Sequence, residues 1–139
     1  MADTSEAKGS CLCGAVRVTA RTLSRSIGAC HCGMCRKWTG GPLLAVDCGT
    51  EVSFEGKENV SAFNSSDWAE RGFCKQCGTH LFYKLKKNNQ YIMPAGLFEN
   101  LGGAVFDHQI FIEEKPAFYS FSNQTKNMTG AEVFAQFAS

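Results

Sequence analysis

Apolar and polar residues alternate in short stretches along this chain, the period of half-buried β-strands. Val16 and Val18 take turns with Arg17 and Thr19, so one strand is predicted there, with its valines on one face. Residues 43–46, 52–54, 81–85, 91–93 and 110–112 read as further strands. Turn chemistry separates them at Gly40-Gly41-Pro42, Cys48-Gly49, Asn88-Asn89 and Gly102-Gly103. Helical signals are confined to two places. Residues 34–38 suit a single helical turn. Thr129 followed by Glu132 is a capping box ahead of an apolar face of Val133, Phe134 and Phe137, which predicts a terminal helix from about Gly130 packed on a sheet. The pattern is that of a mainly β protein with a short C-terminal helix.

Composition adds scale to this picture. A chain of 139 residues fits one domain, and a hydrophobic fraction of 44% with 11 Phe supplies an ordinary core. Residues 1–8 are polar and mixed in charge and read as a tail, leaving residues 9–139 as the single domain. No apolar leader or membrane-spanning run is present, so a cytoplasmic location is expected, where thiols stay reduced. The formal net charge is +1, which gives no electrostatic footprint for nucleic acid and no reason to expect a membrane surface as partner.

The eight cysteines change the picture most. Seven form three tight groups: Cys11 with Cys13; Cys30, Cys32 and Cys35; and Cys74 with Cys77. Such spacing suits metal ligands better than disulfides in a reducing compartment. Cys74-Lys75-Gln76-Cys77-Gly78 is a zinc knuckle, whose glycine permits the tight turn that aims backbone N–H groups at sulfur. Paired with Cys11-Leu12-Cys13-Gly14 it makes a four-sulfur structural site across about 60 residues of chain. The middle group can close on a second metal as a tripod. Its fourth ligand is either a substrate or one of His31, Cys48 and His80.

The flanks of these groups carry a family resemblance. They are Gly9-Ser10-Cys11-Leu12-Cys13-Gly14-Ala15-Val16-Arg17, then Cys30-His31-Cys32-Gly33-Met34-Cys35-Arg36-Lys37, then the run from Trp68 through Cys74 and Cys77 to Phe82. With Ala95-Gly96-Leu97 and His108-Gln109-Ile110-Phe111-Ile112, they closely resemble the glutathione-dependent formaldehyde-activating enzymes, a family that includes the centromere-protein-V-like proteins. The resemblance implies small twisted antiparallel sheets around a structural four-cysteine zinc. It also implies two zinc ions per chain, with Cys11, Cys13, Cys74 and Cys77 structural and Cys30, Cys32 and Cys35 catalytic. The implied activity is carbon–sulfur lyase chemistry, the condensation of glutathione with formaldehyde to S-hydroxymethylglutathione or its reverse.

Three thiolates suit sulfur exchange better than water activation, since they leave a bound Zn²⁺ a weak Lewis acid. Glutathione carries two carboxylates, so Arg36, Lys37 and Arg71 are candidate substrate-binding cations, with Trp38 as a pocket wall. His108 is a further candidate, and with His80 a candidate proton shuttle. Other classes of function compatible with the same cysteines are a non-catalytic zinc-binding interaction module and a glutathione carrier.

Overall fold

The computed structural model describes residues 4–137, with side chains to Gln136. Eleven strands and two helices are described: β1 (Thr4–Ser10), β2 (Arg17–Ser24), β3 (Ser26–Cys30), α1 (Gly33–Thr39), β4 (Leu43–Asp47), β5 (Val52–Glu55), β6 (Val60–Phe63), β7 (Ala69–Cys74), β8 (His80–Leu85), β9 (Tyr91–Pro94), β10 (Val105–Ile110), β11 (Lys126–Met128) and α2 (Gly130–Phe137). They form two sheets, one of order β1-β2-β5 and one of order β11-β10-β3-β4-β9-β8-β7-β6. The protein is mainly β, as the alternation predicts. Most neighbours are antiparallel, but β10 runs parallel to both β3 and β11, so the larger sheet is mixed at one end. No described helix is long and apolar enough to cross a membrane.

The core lies between the sheets. Val18, Ala20 and Leu23 of β2 are fully enclosed, and so are Val46 of β4, Leu81 of β8 and Met93 of β9. Phe54, Phe82 and Tyr91 extend this core as a ring cluster with centroids 5.2–5.8 Å apart, within the range of favourable edge and tilted contacts. Cys48 belongs to the same core, fully buried, and burial pushes its thiol up to about 12. It behaves as a small hydrophobe.

Two sequence expectations need correcting. Residues 4–8, read as tail, belong to the edge strand β1, which pairs with β2 from Thr4 to Ser10. Residues 1–3 lie outside the described residues. The strand escapes the pattern because its buried positions are Ala7 and Gly9, too small to register as apolar. The second is the strand at 110–112. It begins earlier, at Val105, and stops at Ile110, because Phe111 adopts φ +54° and turns the chain into a 3₁₀ turn at Ile112–Glu114.

Both helical expectations coincide with helices. Cys32 caps α1 through its sulfur, which accepts from the Cys35 N–H at 3.3 Å, and Gly40 ends the helix in the left-handed region. At α2 the capping box is complete. The Thr129 N–H donates to Glu132 Oε1 at 2.9 Å, and the Glu132 N–H donates to Thr129 Oγ1 at 3.2 Å. Val133 is buried and Phe134 meets Trp68 and Phe111 edge-on, while the side chain of Phe137 lies outside the described residues.

Candidate metal centre and active site

Two cysteine groups are brought together with their sulfurs within 4.8 Å of one another: Cys11, Cys13, Cys74 and Cys77 in one, and Cys30, Cys32 and Cys35 in the other. Either group could hold a metal ion. In the first, Cys13 Sγ lies 3.7 Å from Cys11 and 3.8 Å from Cys74, the edge length of a tetrahedron of sulfurs about 2.3 Å from a shared centre. Two turns build it. Gly14 N–H donates to Cys11 O, and Gly78 N–H to Cys74 O, with both glycines at φ +81°. A side chain there would strain the backbone, which is why glycine follows each pair. Backbone N–H groups do aim at sulfur: Val16 donates to Cys11 at 3.3 Å. Thr79, through its hydroxyl and then its N–H, draws the Cys77 thiol down to about 5. Thr79 Oγ1 also accepts from the Leu12 N–H, tying one turn to the other.

The second group lies where β3 ends and α1 begins. Cys30 and Cys35 are buried and Cys32 is half-buried. Hydrogen bonds from Cys30 and Cys35 draw the Cys32 thiol down to about 2, while contacts with Cys32 and Cys35, followed by burial, push Cys30 up. Three thiols this close cannot all ionise on their own, and a cation among them would relieve that conflict. The donor set therefore fits a soft divalent metal such as zinc.

Among the described residues the second group stops at three. His31 lies between two of its cysteines yet points to the opposite face of the sheet. Its Nδ1 lies 2.7 Å from the Tyr119 hydroxyl and its Nε2 2.7 Å from Gln109 Oε1. Gln109 in turn donates to Thr125 Oγ1, so its oxygen must accept from His31 Nε2–H, and Nδ1 accepts from Tyr119. Both nitrogens are thus committed. Tyr119 carries no motif, and Gln109 stands in the resembling run 108–112 with no role assigned to it; the alternation of β10 sends Gln109 away from Ile110. Cys48 is in the core. His80 has both nitrogens enclosed and unpartnered, and burial pulls it down to about 4.

The expected substrate-binding residues separate. Lys37 is exposed, and Arg36 is half-buried, its Nε donating to His31 O at 2.9 Å. Trp38 lines a cavity of about 570 Å³ with Ala62, Phe63, Phe73, Gly78 and His80. Arg71 is not a surface cation. It is 2% exposed, lies over the Tyr83 ring at 4.9 Å and near Trp38 at 5.9 Å, and donates from Nη2 to Cys35 Sγ at 3.6 Å. The guanidinium therefore faces sulfur. His108 stands on β10, where Nδ1 lies 2.7 Å from Asp107 Oδ1.

The chain is similar to known proteins. Residues 6–114 match the family model described as glutathione-dependent formaldehyde-activating enzyme. A curated relative from Schizosaccharomyces pombe, described as an uncharacterized lyase, is 39% identical over 129 residues, 92% of this chain and 94% of the relative. A crystal structure of a Rhodobacter sphaeroides protein superposes with a TM-score of 0.55 at 24% identity, covering 67% of this chain and 88% of that one, which supports the fold. The span of the family match, with the relative's identity over nearly the whole chain, shows that this chain belongs to the glutathione-dependent formaldehyde-activating enzyme family.

Proposed function

We propose that the protein is a zinc-dependent carbon–sulfur lyase that condenses glutathione with formaldehyde to S-hydroxymethylglutathione, or runs the reverse reaction. The observation that carries this reading is the three-thiol group, separate from the four-thiol group and without a fourth protein donor among the described residues. Cys11, Cys13, Cys74 and Cys77 would hold a structural zinc, and Cys30, Cys32 and Cys35 a catalytic one. Bound at the three thiols, zinc would supply a site for a substrate sulfur and Lewis-acid assistance to the departing thiolate.

The chain's own residues set the electrostatics of that exchange. Three thiolates are surplus negative charge in a half-buried place, and the Arg71 guanidinium on Cys35 offsets part of it. This lets an anionic sulfur approach. Arg36 and Lys37 follow the group on α1 and suit the carboxylates of a small thiol such as glutathione. The lyase description of the Schizosaccharomyces pombe relative supports the reaction class. A cytoplasmic setting, where thiols stay reduced, suits all seven ligands.

Metal analysis of the purified chain, with exchange spectroscopy of glutathione and formaldehyde, tests the reading. Two zinc ions per chain and faster interconversion are expected. Glutathione binding without acceleration would leave a carrier instead, and a single zinc would overturn the two-site assignment.

A further inference from the structure

β10 lies beside β3 in parallel register, His108 opposite Gly28 and Ile110 opposite Cys30. Side chains alternate along a strand, so His108 and Ile110 share one face while Gln109 turns to the other to reach His31. Ile110 packs against the buried cluster that Cys30, Cys35 and Leu43 form. His108 consequently lies on the same face of the sheet as Cys30, its backbone two residues along the strand from the partner of Cys30, or about 6.6 Å of strand at 3.3 Å per residue.

The ring is held in one orientation. Its Nδ1 lies 2.7 Å from Asp107 Oδ1 and 3.2 Å from Ser26 Oγ, and the Ser26 hydroxyl donates to the same carboxylate oxygen. With the carboxylate accepting from Nδ1–H, the lone pair of the neutral ring is on Nε2. Nε2 lies over Gly28, where an added Cβ would come within 2.1 Å of it. Only glycine leaves room for the ring there. Among the described residues nothing bonds to Nε2, and it is not among the enclosed unpartnered nitrogens, so solvent reaches it. Of the other two histidines, His31 has both nitrogens committed to Tyr119 and Gln109, and His80 is enclosed at both. The charged groups facing the His108 ring are Asp107 on its own strand and exposed Lys126, its register partner on β11.

We propose that His108 is the catalytic acid–base of the lyase reaction, oriented by Asp107 and Ser26; this rests on the lyase reading above. In the cleavage direction, Nε2 takes the hydroxyl proton of the S-hydroxymethyl adduct. The O–H electron pair becomes the second C–O bond, the C–S bond breaks, and its pair leaves with sulfur as thiolate. In the synthetic direction the thiolate attacks the carbonyl carbon, the C–O π pair moves to oxygen, and that oxygen takes the proton from the imidazolium. A one-carbon adduct carries its oxygen roughly 3 Å beyond the sulfur, and a hydrogen bond from that oxygen reaches about 2.8 Å further.

The test uses the metal-replete full chain with glutathione and formaldehyde, reading interconversion by exchange spectroscopy. His108→Ala and His108→Gln should each slow it at least about 100-fold, the usual loss of one acid–base group. Metal content and glutathione binding should not change. Added imidazole should restore part of the rate to His108→Ala, which a purely structural histidine would not allow. Activity of either variant within about threefold of wild type overturns the inference, and so does a loss that falls in step with metal content or that imidazole leaves untouched. A wild-type chain with no acceleration overturns the lyase reading itself, and the inference with it.

Discussion

His80 lies against the edge of the Trp38 ring with both its nitrogens enclosed, so an imidazolium there would be poorly solvated. Burial first, opposed by a backbone contact and aided by the Arg71 charge, pulls it from 6.5 to about 4. The unfolded chain takes up this proton below about pH 6.5, while the folded chain refuses it until about pH 4. Stability is therefore complete above pH 6.5, falls between 6.5 and 4, and changes no further from this group below that. Metal-saturated wild type should lose roughly 2 kcal/mol more than His80→Phe between pH 7 and pH 5, since 1.5 units at 1.36 kcal/mol separate the two states. Urea titration of both chains checks this, because the acid sensitivity of the thiols is common to both and cancels. Arg71 makes a second case. Its replacement by Met would leave the Cys35 sulfur without its cation, so metal at the three-thiol group should be held 10–100-fold more weakly, read by competition with a chelator. The sequence places Arg71 three residues before Cys74 and offers it as a substrate-binding cation, with nothing to mark it as buried. Its burial follows from the faces of β7, where Ala69, Arg71 and Phe73 share one side, and that strand was invisible to alternation because a charge stands at its centre. His31 shows the same limit: its position between two cysteines is plain in the sequence, its partners Tyr119 and Gln109 are not.

Elements that carry large apolar residues on one face, such as β4, β5, β8 and β9, could be read from the chain alone. Those built from small residues could not. The strand β3 is Ser-Ile-Gly-Ala-Cys, and its glycine exists for the ring of His108, a contact from 80 residues away. Parallel pairing of β10 is likewise a property of the returning chain and not of its local pattern. Capping was legible because it is local. At α2 both halves of the Thr129–Glu132 box form, so Thr129→Ala should cost about 1 kcal/mol and raise the amide exchange rates of the first helical turn. The knuckle turns are local too. Gly78 meets nothing within 4 Å at the position of a Cβ, so Gly78→Ala tests backbone conformation without crowding. At φ +81° it should lower stability by about 1–2 kcal/mol in thermal unfolding, with metal still bound.

At the scale of the molecule, the four-thiol group lies at a junction. Cys11 and Cys13 are in the turn between β1 and β2 of the smaller sheet, while Cys74 and Cys77 join β7 to β8 of the larger one. Cys11 and Cys74 also belong to the core that fills the space between the sheets. One metal there would fasten the two layers directly over that core. Structural zinc contributes roughly 10–16 kcal/mol, as large as the ~5–15 kcal/mol that holds a whole domain together. The three-thiol group has no such position: all its members lie within one stretch, from the end of β3 into α1, and fasten nothing distant. The two groups should therefore fail differently. Cys77→Ser should lose the metal of its group and unfold, seen as collapse of the cooperative thermal transition. Cys32→Ser should keep that transition while losing one metal and the lyase activity. A strong chelator should reproduce the two in sequence, activity going first and the fold afterwards, followed in one titration by turnover and circular dichroism. If both signals vanish together, or both variants unfold alike, the division between a metal that holds the sheets and a metal that does the chemistry is wrong.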